Sequence, residues 1–362
     1  MEGILLFNDF KVGSYRGDYS VIFTPWKTQL KKELSEGDVV IIDANIIKLY
    51  PSVMDCLSDN KTIAINPNET SKTYSEIGNT IEEVITSGFS KNNRLIAIGG
   101  GITQDVTSFA ASILYRGVDW LFFPTNLATQ ADSCIGSKTS VNLGSYKNQL
   151  GGFHPPRKIV IDFEFCNSLE PIDICAGLGE MMHYFLVDGE INPSSFIHII
   201  EDAKVNKKTL ASLVVKSLLI KKSMIEVDEF DTGPRNVFNY GHTFGHAIEA
   251  ATDYEVPHGI AVAYGMDLAN ILSVKAGLID MTLRNKIRPM LRTISKSKDL
   301  PLIDMVKYFE AMSRDKKNIG SETKVILTRG LGEMFKTTLV MDQETKHLIS
   351  DFFQSKLYSV NL

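Results

Sequence analysis

The sequence predicts a nucleotide-binding-like α/β domain over residues 1–166, followed by a mostly α-helical, metal-binding domain over residues 167–362. Three observations carry this expectation. Short apolar or β-branched runs alternate with more polar, helix-like stretches in the first half, the pattern of a parallel sheet with crossover helices. After about Asn167 long helical periodicities take over. Within them three of the seven histidines, His242, His246 and His258, crowd into seventeen residues.

In chain order, 38–43 (Asp-Val-Val-Ile-Ile-Asp), 62–65, 94–98, 120–123 and 158–161 read as strands, and 71–87 reads as a helix. Gly99-Gly100-Gly101 directly follows the third strand and precedes Asp105. A glycine run at the end of a strand lets backbone approach a phosphate, and the following helix N-terminus favours the anion. A plain tight turn is the alternative, since the spacing is not GxGxxG. From 125 to 148 large apolar residues are sparse. Thr125, Asn126, Asp132, Ser133, Lys138, Thr139, Asn142, Lys147 and Asn148 sit there among glycines. That is the chemistry of an anion cradle, with lysines as point charges and amides as directional donors. A solvated surface loop is the competing reading.

The second domain reads as helices over 174–186, 209–227, 236–251, 260–276 and 305–312, with polar or Gly/Pro breaks between them. His242 and His246 stand four residues apart and so face the same way on a helix. Two imidazoles of this cluster with a remote carboxylate form a donor set for a divalent metal. A helix carrying two ordinary satisfied histidines is the bland alternative, weakened by the proximity of His258.

A length of 362 residues allows two domains with ample core. The net charge of -5 gives no reason to expect nucleic acid or an anionic membrane. An anionic small substrate is still compatible with a local basic cluster. No apolar run approaches the roughly 20 residues that span a bilayer. Cys56, Cys134, Cys166 and Cys175 form no CxxC pair, so neither a disulfide framework nor a thiolate zinc site is expected. A cytoplasmic protein with reduced thiols follows.

Several motifs occur in a fixed order. They are Gly99-Gly100-Gly101 with Asp105, Tyr115-Arg116-Gly117, Pro124-Thr125, Asp132-Ser133, Lys138-Thr139, Asn142, Lys147-Asn148, and Asn239-x-Gly-His242-x3-His246. Together they resemble the 3-dehydroquinate synthase family of sugar phosphate cyclases, from about residue 43 to residue 332. The resemblance implies an α/β N-terminal NAD-binding domain and a mostly α-helical C-terminal metal-binding domain, with zinc, or cobalt in its place, held by Glu180, His242 and His258. His246 is then not a ligand but lies near the substrate's phosphate. The implied NAD contacts are Asp43, Glu69, Lys72, Gly100, Gly101, Ile102, Asp105, Thr125, Asn126 and Lys147. The implied substrate contacts are Asp132, Lys138, Asn148, Lys221, Arg235, Asn239, His246 and a lysine of the Lys316-Lys317 pair. Arg116 matches an arginine that reaches the phosphate from a partner subunit, which implies a homodimer.

Two positions depart from the family pattern. His183 stands where the family has a substrate-touching lysine, three residues after the glutamate ligand. On a helix it shares a face with Glu180, which also brings the metal within reach. Ile260 stands where the family usually has a glutamate. In addition, Phe153-His154-Pro155-Pro156 resembles a turn found in cyclases that use sedoheptulose 7-phosphate.

Lys221 and Arg235 match the positions that clamp a substrate carboxylate, and Asn239 matches the acid-using branch. The resemblance therefore favours 3-dehydroquinate synthase activity on a small anionic sugar-acid phosphate, with NAD recycled within each turnover. A specialised cyclase of sedoheptulose 7-phosphate or an amino analogue comes second. A metal-dependent polyol dehydrogenase and a ligand-binding homologue without catalysis are the readings from other classes.

Overall fold

The structure, a computed structural model, describes residues 7–57, 60–144, 146–313 and 322–354. The chain forms two compact units, one of residues 1–169 with 221–232 and one of residues 170–220 with 233–362.

The first unit runs β1 (Phe10–Val12), β2 (Tyr19–Phe23), α1 (Trp26–Glu33), β3 (Val39–Asp43), α2 (Ala44–Leu49), α3 (Met54–Leu57) and β4 (Lys61–Ile65). It continues with α4 (Tyr74–Thr86), β5 (Leu95–Gly99), α5 (Gly101–Ile113), β6 (Trp120–Pro124), β7 (Lys138–Leu143), β8 (Tyr146–Phe153) and β9 (Lys158–Ile161). Seven strands make one sheet in the order β1-β2-β9-β6-β5-β3-β4. Only the β1–β2 pair is antiparallel. Every residue of β3, β5 and β6 is buried, so apart from Asp43 at the end of β3 these strands lack polar side chains and do not alternate, as expected for a parallel sheet covered on both faces. Val40, Ile42, Ile96, Ile98, Phe123 and Val160 share one core with Trp26, Leu30 and Phe165.

Strand order places a topological switch between β3 and β5. From β3 the chain steps to β4 on one side, then returns to β5 on the other and continues outward through β6. Ligands of such sheets bind beyond the carboxyl ends of the strands at that point. Here those ends are Asp43 and Gly99.

The stretch 125–148 is more ordered than a loop. It holds a π-helical turn, Thr129–Ser133, and the first strand of the β7–β8 hairpin. Thr139 and Val141 alternate inward while Lys138 and Leu143 are exposed. The glycines and amides around them mask that period in the sequence.

The second unit contains α6 (Pro171–Asp188), α7 (Pro193–Ala203), α8 (Lys207–Ile225), α9 (His242–Ala251), α10 (His258–Lys275), α11 (Met281–Ser295), α12 (Met305–Ser313), the hairpin β10 (Glu322–Thr328) and β11 (Met334–Val340), and α13 (Gln343–Gln354). The last turn of α8 belongs to the first unit. Helix α6 begins at a capping box formed by Glu170 and Asp173, with Pro171 in its first turn, and stops at Gly189 with φ +76°. The single helix expected over 236–251 is broken. Residues Pro234–Asn239 form a 3-10 turn, Tyr240 is extended, and Gly241 adopts φ +82°, so α9 starts at His242. No described helix is long and apolar enough to cross a membrane.

Glycines bring α6, α9 and α10 into backbone contact. A Cβ on Gly179 would lie 2.2 Å from the carbonyl oxygen of Gly259, and one on Gly259 would lie 1.8 Å from that of Ala176. Likewise a Cβ on Gly265 would meet the Gly241 oxygen at 2.1 Å. Only hydrogen fits at these crossings. Helix α10 is buried continuously from Gly259 to Asn270, which explains why its sequence is apolar all round.

Candidate functional site

The close crossings of α6, α9 and α10 set three side chains around one point. Glu180 follows Gly179 on α6, His242 is the first residue of α9, and His258 is the first of α10. Glu180 Oε1 lies 3.4 Å from His242 Nε2, and Oε2 lies 3.2 Å from His258 Nε2. His258 Nδ1 donates to Glu249 Oε2 at 2.9 Å, and His242 Nδ1 faces the Tyr240 carbonyl oxygen at 3.3 Å. In the tautomers that donate from Nδ1, both Nε2 lone pairs face the same carboxylate. Glu180 is 5% exposed, and its Oε2 accepts no well-directed hydrogen bond. Three lone-pair donors facing one another need a cation or protons between them. Burial works to raise the Glu180 carboxyl, but the charges of His258 and then His242 outweigh it and hold the group well below the usual carboxylate range. A divalent ion would replace those protons. Donors bound at about 2.0–2.1 Å in a tetrahedron stand roughly 3.3 Å apart, which is close to the spacing seen here.

His183, His246 and Glu249 adjoin this cluster. His246 is exposed, and its ring stacks on that of His258 with centroids 5.4 Å apart. His246, Glu249 and His258 form a second group of possible donors, and Glu180, His183 and His242 another. His183 is 1% exposed. Arg235 is buried in the 3-10 turn that precedes α9, and Asn239 Nδ2 donates to the Asn236 carbonyl at 3.0 Å. Ile260 is a fully buried core residue of α10.

The first unit brings together the residues expected to hold a dinucleotide. Gly100 caps α5 without a side chain, leaving the N–H groups of the helix start available. A Cβ on Gly100 would meet Asn126 Nδ2 at 2.3 Å, and one on Gly99 would come within 3.0 Å of the Asp43 Cβ. Asp43 accepts from Asn45 N at 2.8 Å as the N-cap of α2, while Thr125 N donates to the Gly99 carbonyl at 3.0 Å. Lys72 pairs with Asp105 at 2.5 Å and donates to Asn148 Oδ1 at 2.7 Å. Burial raises the Asp105 carboxyl despite the Lys72 charge. Glu69 takes Asn142 Nδ2 at 2.7 Å and stands 3.8 Å from Lys147 Nζ, and Ile102 lies half-buried in the first turn of α5.

The cradle residues have partners of their own. Lys221 Nζ donates to both Asp132 Oδ1 and the Asp132 carbonyl at 2.7 Å. Lys138 pairs with Asp231. Asn148, with φ +53°, receives Ser140 Oγ at 3.1 Å on its Oδ1. Arg116 is exposed and has φ +68°. His154 is buried with Nε2 2.8 Å from the Val118 carbonyl, so it holds its own turn in place. Lys316 and Lys317 lie outside the described residues.

Two residues escaped the reading of the sequence. Glu249 lies three residues after His246 and seven after His242, on the same face of α9, and that spacing was its available signal. Asp231 precedes Arg235 by four residues in a turn, and nothing local marks it as the partner of Lys138.

Known proteins match this chain in sequence and in fold. The family model for the 3-dehydroquinate synthase N-terminal region matches residues 62–176, and that for the C-terminal region matches residues 177–318. The 3-dehydroquinate synthase of Alkaliphilus metalliredigens (strain QYMF) is 31% identical over 341 residues, covering 91% of this chain and 93% of that one. Among solved structures, 2-deoxy-scyllo-inosose synthase complexed with carbaglucose-6-phosphate, NAD+ and Co2+ superposes with a TM-score of 0.82 at 22% identity, covering 96% of this chain and all of that one. ValA, the 2-epi-5-epi-valiolone synthase of Streptomyces hygroscopicus subsp. jinggangensis 5008 with NAD+ and Zn2+ bound, gives 0.77 at 22% identity, with 92% and 96% covered. These two share the fold. The family matches and the relative over nearly the whole chain go further, and on them the chain belongs to the 3-dehydroquinate synthase family.

Proposed function

We propose that this protein is an NAD- and zinc-dependent sugar phosphate cyclase with 3-dehydroquinate synthase activity, eliminating phosphate from 3-deoxy-D-arabino-heptulosonate 7-phosphate and closing the carbocycle. The observation that carries the reading is the convergence of Glu180, His242 and His258 on one point. One carboxylate and two imidazoles leave coordination positions open for substrate, as a catalytic zinc site requires, and cobalt suits the same donors. The dinucleotide fits the strand switch where Gly99 and Gly100 have no room for a side chain.

When bound, NAD and the cation supply a reversible hydride acceptor and a Lewis acid, which make the proton beside the phosphate-bearing carbon acidic enough for β-elimination. The chain's own residues bind and orient. The N-terminus of α5 with Gly100, Gly101 and Ile102 receives the pyrophosphate, while Asp43, Glu69, Lys72, Asp105, Thr125, Asn126 and Lys147 hold the rest of the cofactor. Lys138, Asn148 and His246 take the substrate phosphate, with Lys316 or Lys317 and with Arg116 from a second copy of the chain. On substrate binding Lys138 exchanges the Asp231 carboxylate for the phosphate. Asp132 and Asn239 orient the polar carbon chain. Arg235 and Lys221 face the carboxylate, where a buried guanidinium offers two parallel donors. Ring closure then needs mainly the positioning of the two ends. Buried free cysteines are consistent with a reducing, cytoplasmic setting.

His183 favours a second reading. An imidazole replaces a permanently charged ammonium close to the cluster, which suits a less anionic substrate such as sedoheptulose 7-phosphate. The test is to offer purified zinc- and NAD-loaded protein the acid phosphate and sedoheptulose 7-phosphate in parallel, with Arg235→Gln beside the parent. Loss of a charge-assisted hydrogen bond of about 1.5–3 kcal/mol lowers kcat/KM for the acid by roughly one to two decades. The neutral sugar phosphate is affected far less. A parent that cyclises only sedoheptulose 7-phosphate and is indifferent to Arg235→Gln overturns the substrate assignment.

A further inference from the structure

We propose that His183 is a fourth protein donor to the divalent ion held by Glu180, His242 and His258. The inference rests on the metal reading above and concerns the residue that stands where the resemblance implies a lysine. His183 follows Glu180 by three residues on α6, so both side chains leave the same face of the helix one turn apart. It is 1% exposed. One donor atom each from Glu180, His183 and His242 all lie within 4.8 Å of one another. The His183 and His242 rings stand edge to face, 88° apart in plane, with centroids at 4.9 Å. On its other sides the His183 ring is walled by Tyr184 at 3.8 Å and Phe238 at 6.0 Å, which limits where it can turn.

The distances suit coordination. Two donors bound to one ion at about 2.1 Å are at most about 4.2 Å apart when trans and about 3 Å when cis. A spread of up to 4.8 Å closes to that range by a few tenths of an ångström at each side chain, which a staggered rotamer accommodates by small torsional adjustment. A buried imidazole beside a carboxylate and two further imidazoles is also the ligand chemistry that zinc and its neighbours in the first transition row accept.

The consequence is a cation bound by one carboxylate and three imidazoles. A fourth protein donor would leave fewer coordination positions for substrate oxygens than three would. His183 therefore both raises the affinity for the metal and restricts how many hydroxyls of the substrate reach it.

The experiment is X-ray absorption on the zinc-loaded parent, which counts imidazoles directly and needs no variant to fold. It is paired with the visible spectrum of the cobalt-loaded protein and with chelator competition for the parent, His183→Gln and His242→Ala. The expected result is three imidazoles in the parent, two in His183→Gln, and changed cobalt band intensities. Zinc affinity should fall in that variant by no less than the roughly 10–100-fold typical of losing an outer-sphere partner. Two imidazoles in the parent, with affinity and spectrum unchanged by His183→Gln while His242→Ala loses the ion, overturns this inference and leaves the metal site standing. A parent that takes up no stoichiometric zinc or cobalt overturns the metal reading and this inference together.

Discussion

Substituting Gly259 by alanine adds one methyl group at the point where α10 crosses α6. The new Cβ would sit 1.8 Å from the Ala176 carbonyl oxygen, 2.8 Å from its carbon and 2.9 Å from the Glu180 nitrogen. All three are backbone atoms, so no side chain can swing aside. An ordinary contact of about 3.5 Å needs the helices to part by roughly 1.7 Å. Overpacking of a core costs about 1–3 kcal/mol, and against rigid backbone the upper end, about 3 kcal/mol or more, is expected. The same shift carries His258, the preceding residue, away from Glu180, whose contact is now 3.2 Å. Zinc affinity should therefore fall along with stability. Gly78→Ala is the control, because that glycine lies inside α4 with nothing within 4 Å of its Cβ. Relieving the entropy of a mid-helix glycine there should stabilise by about 0.5–1 kcal/mol. Urea unfolding of the three proteins and zinc content after dialysis give both readouts. If Gly259→Ala unfolds within 0.5 kcal/mol, roughly the noise of a neutral surface change, and keeps stoichiometric zinc, the close crossing does not hold the site together.

Glu249 holds His258 Nδ1 at 2.9 Å, so Glu249→Gln should weaken zinc binding by about 10–100-fold while the fold is kept. Unchanged zinc affinity by chelator competition would count against that positioning role. Burial raises the Asp105 carboxyl above its ordinary 3.8, outweighing the Lys72 charge. As the pH rises from 3.8 through the higher folded value, the folded chain keeps a proton that the unfolded chain has lost, so this group's contribution to stability falls across that window. Asp105→Asn should flatten this part of the stability profile, and an identical slope in both proteins would contradict the assignment. Lys221→Met removes the ammonium that donates to both Asp132 Oδ1 and the Asp132 carbonyl, at 2.7 Å each. It should lower kcat/KM for the acid phosphate by at least one decade, the loss of a single charged hydrogen bond being worth about 1.5–3 kcal/mol, and an unaltered value would show that the pair has no part in turnover.

What the sequence made legible follows from local physics. The runs around Val40, Ile96 and Phe122 are apolar without alternation because the strands are covered on both faces, and their positions match within a residue or two. The strand at 158–161 matches throughout. Elements whose pattern depends on distant packing were not readable. Strands β7 and β8 carry lysines, amides and glycines, and their pairing buries only part of one face. The stretch 236–251 reads as one continuous helical pattern. A positive φ at Gly241 breaks it, and a Cβ at that position would meet Met266 Cγ at 2.6 Å and the Val262 carbonyl oxygen at 2.7 Å. The passage of residues 221–232 into the first unit depends on contacts such as Gly13 N to Glu226 Oε1 at 2.9 Å, which no local window contains. At the site, the histidine cluster announced itself by density alone. Glu180 is an ordinary helical glutamate in isolation, and only the family resemblance singled it out before the structure placed it against His242 and His258.

The proposed function requires a redox cycle that closes within each turnover of a phosphate-eliminating cyclase. Its most direct test follows phosphate release, carbocycle formation and absorbance in the NADH band together, during steady-state turnover of the acid phosphate by the zinc- and NAD-loaded protein. Equal amounts of phosphate and carbocycle with no net rise in NADH are expected. NADH accumulating in proportion to substrate consumed, without phosphate release, would contradict the proposed function and identify a polyol dehydrogenase instead.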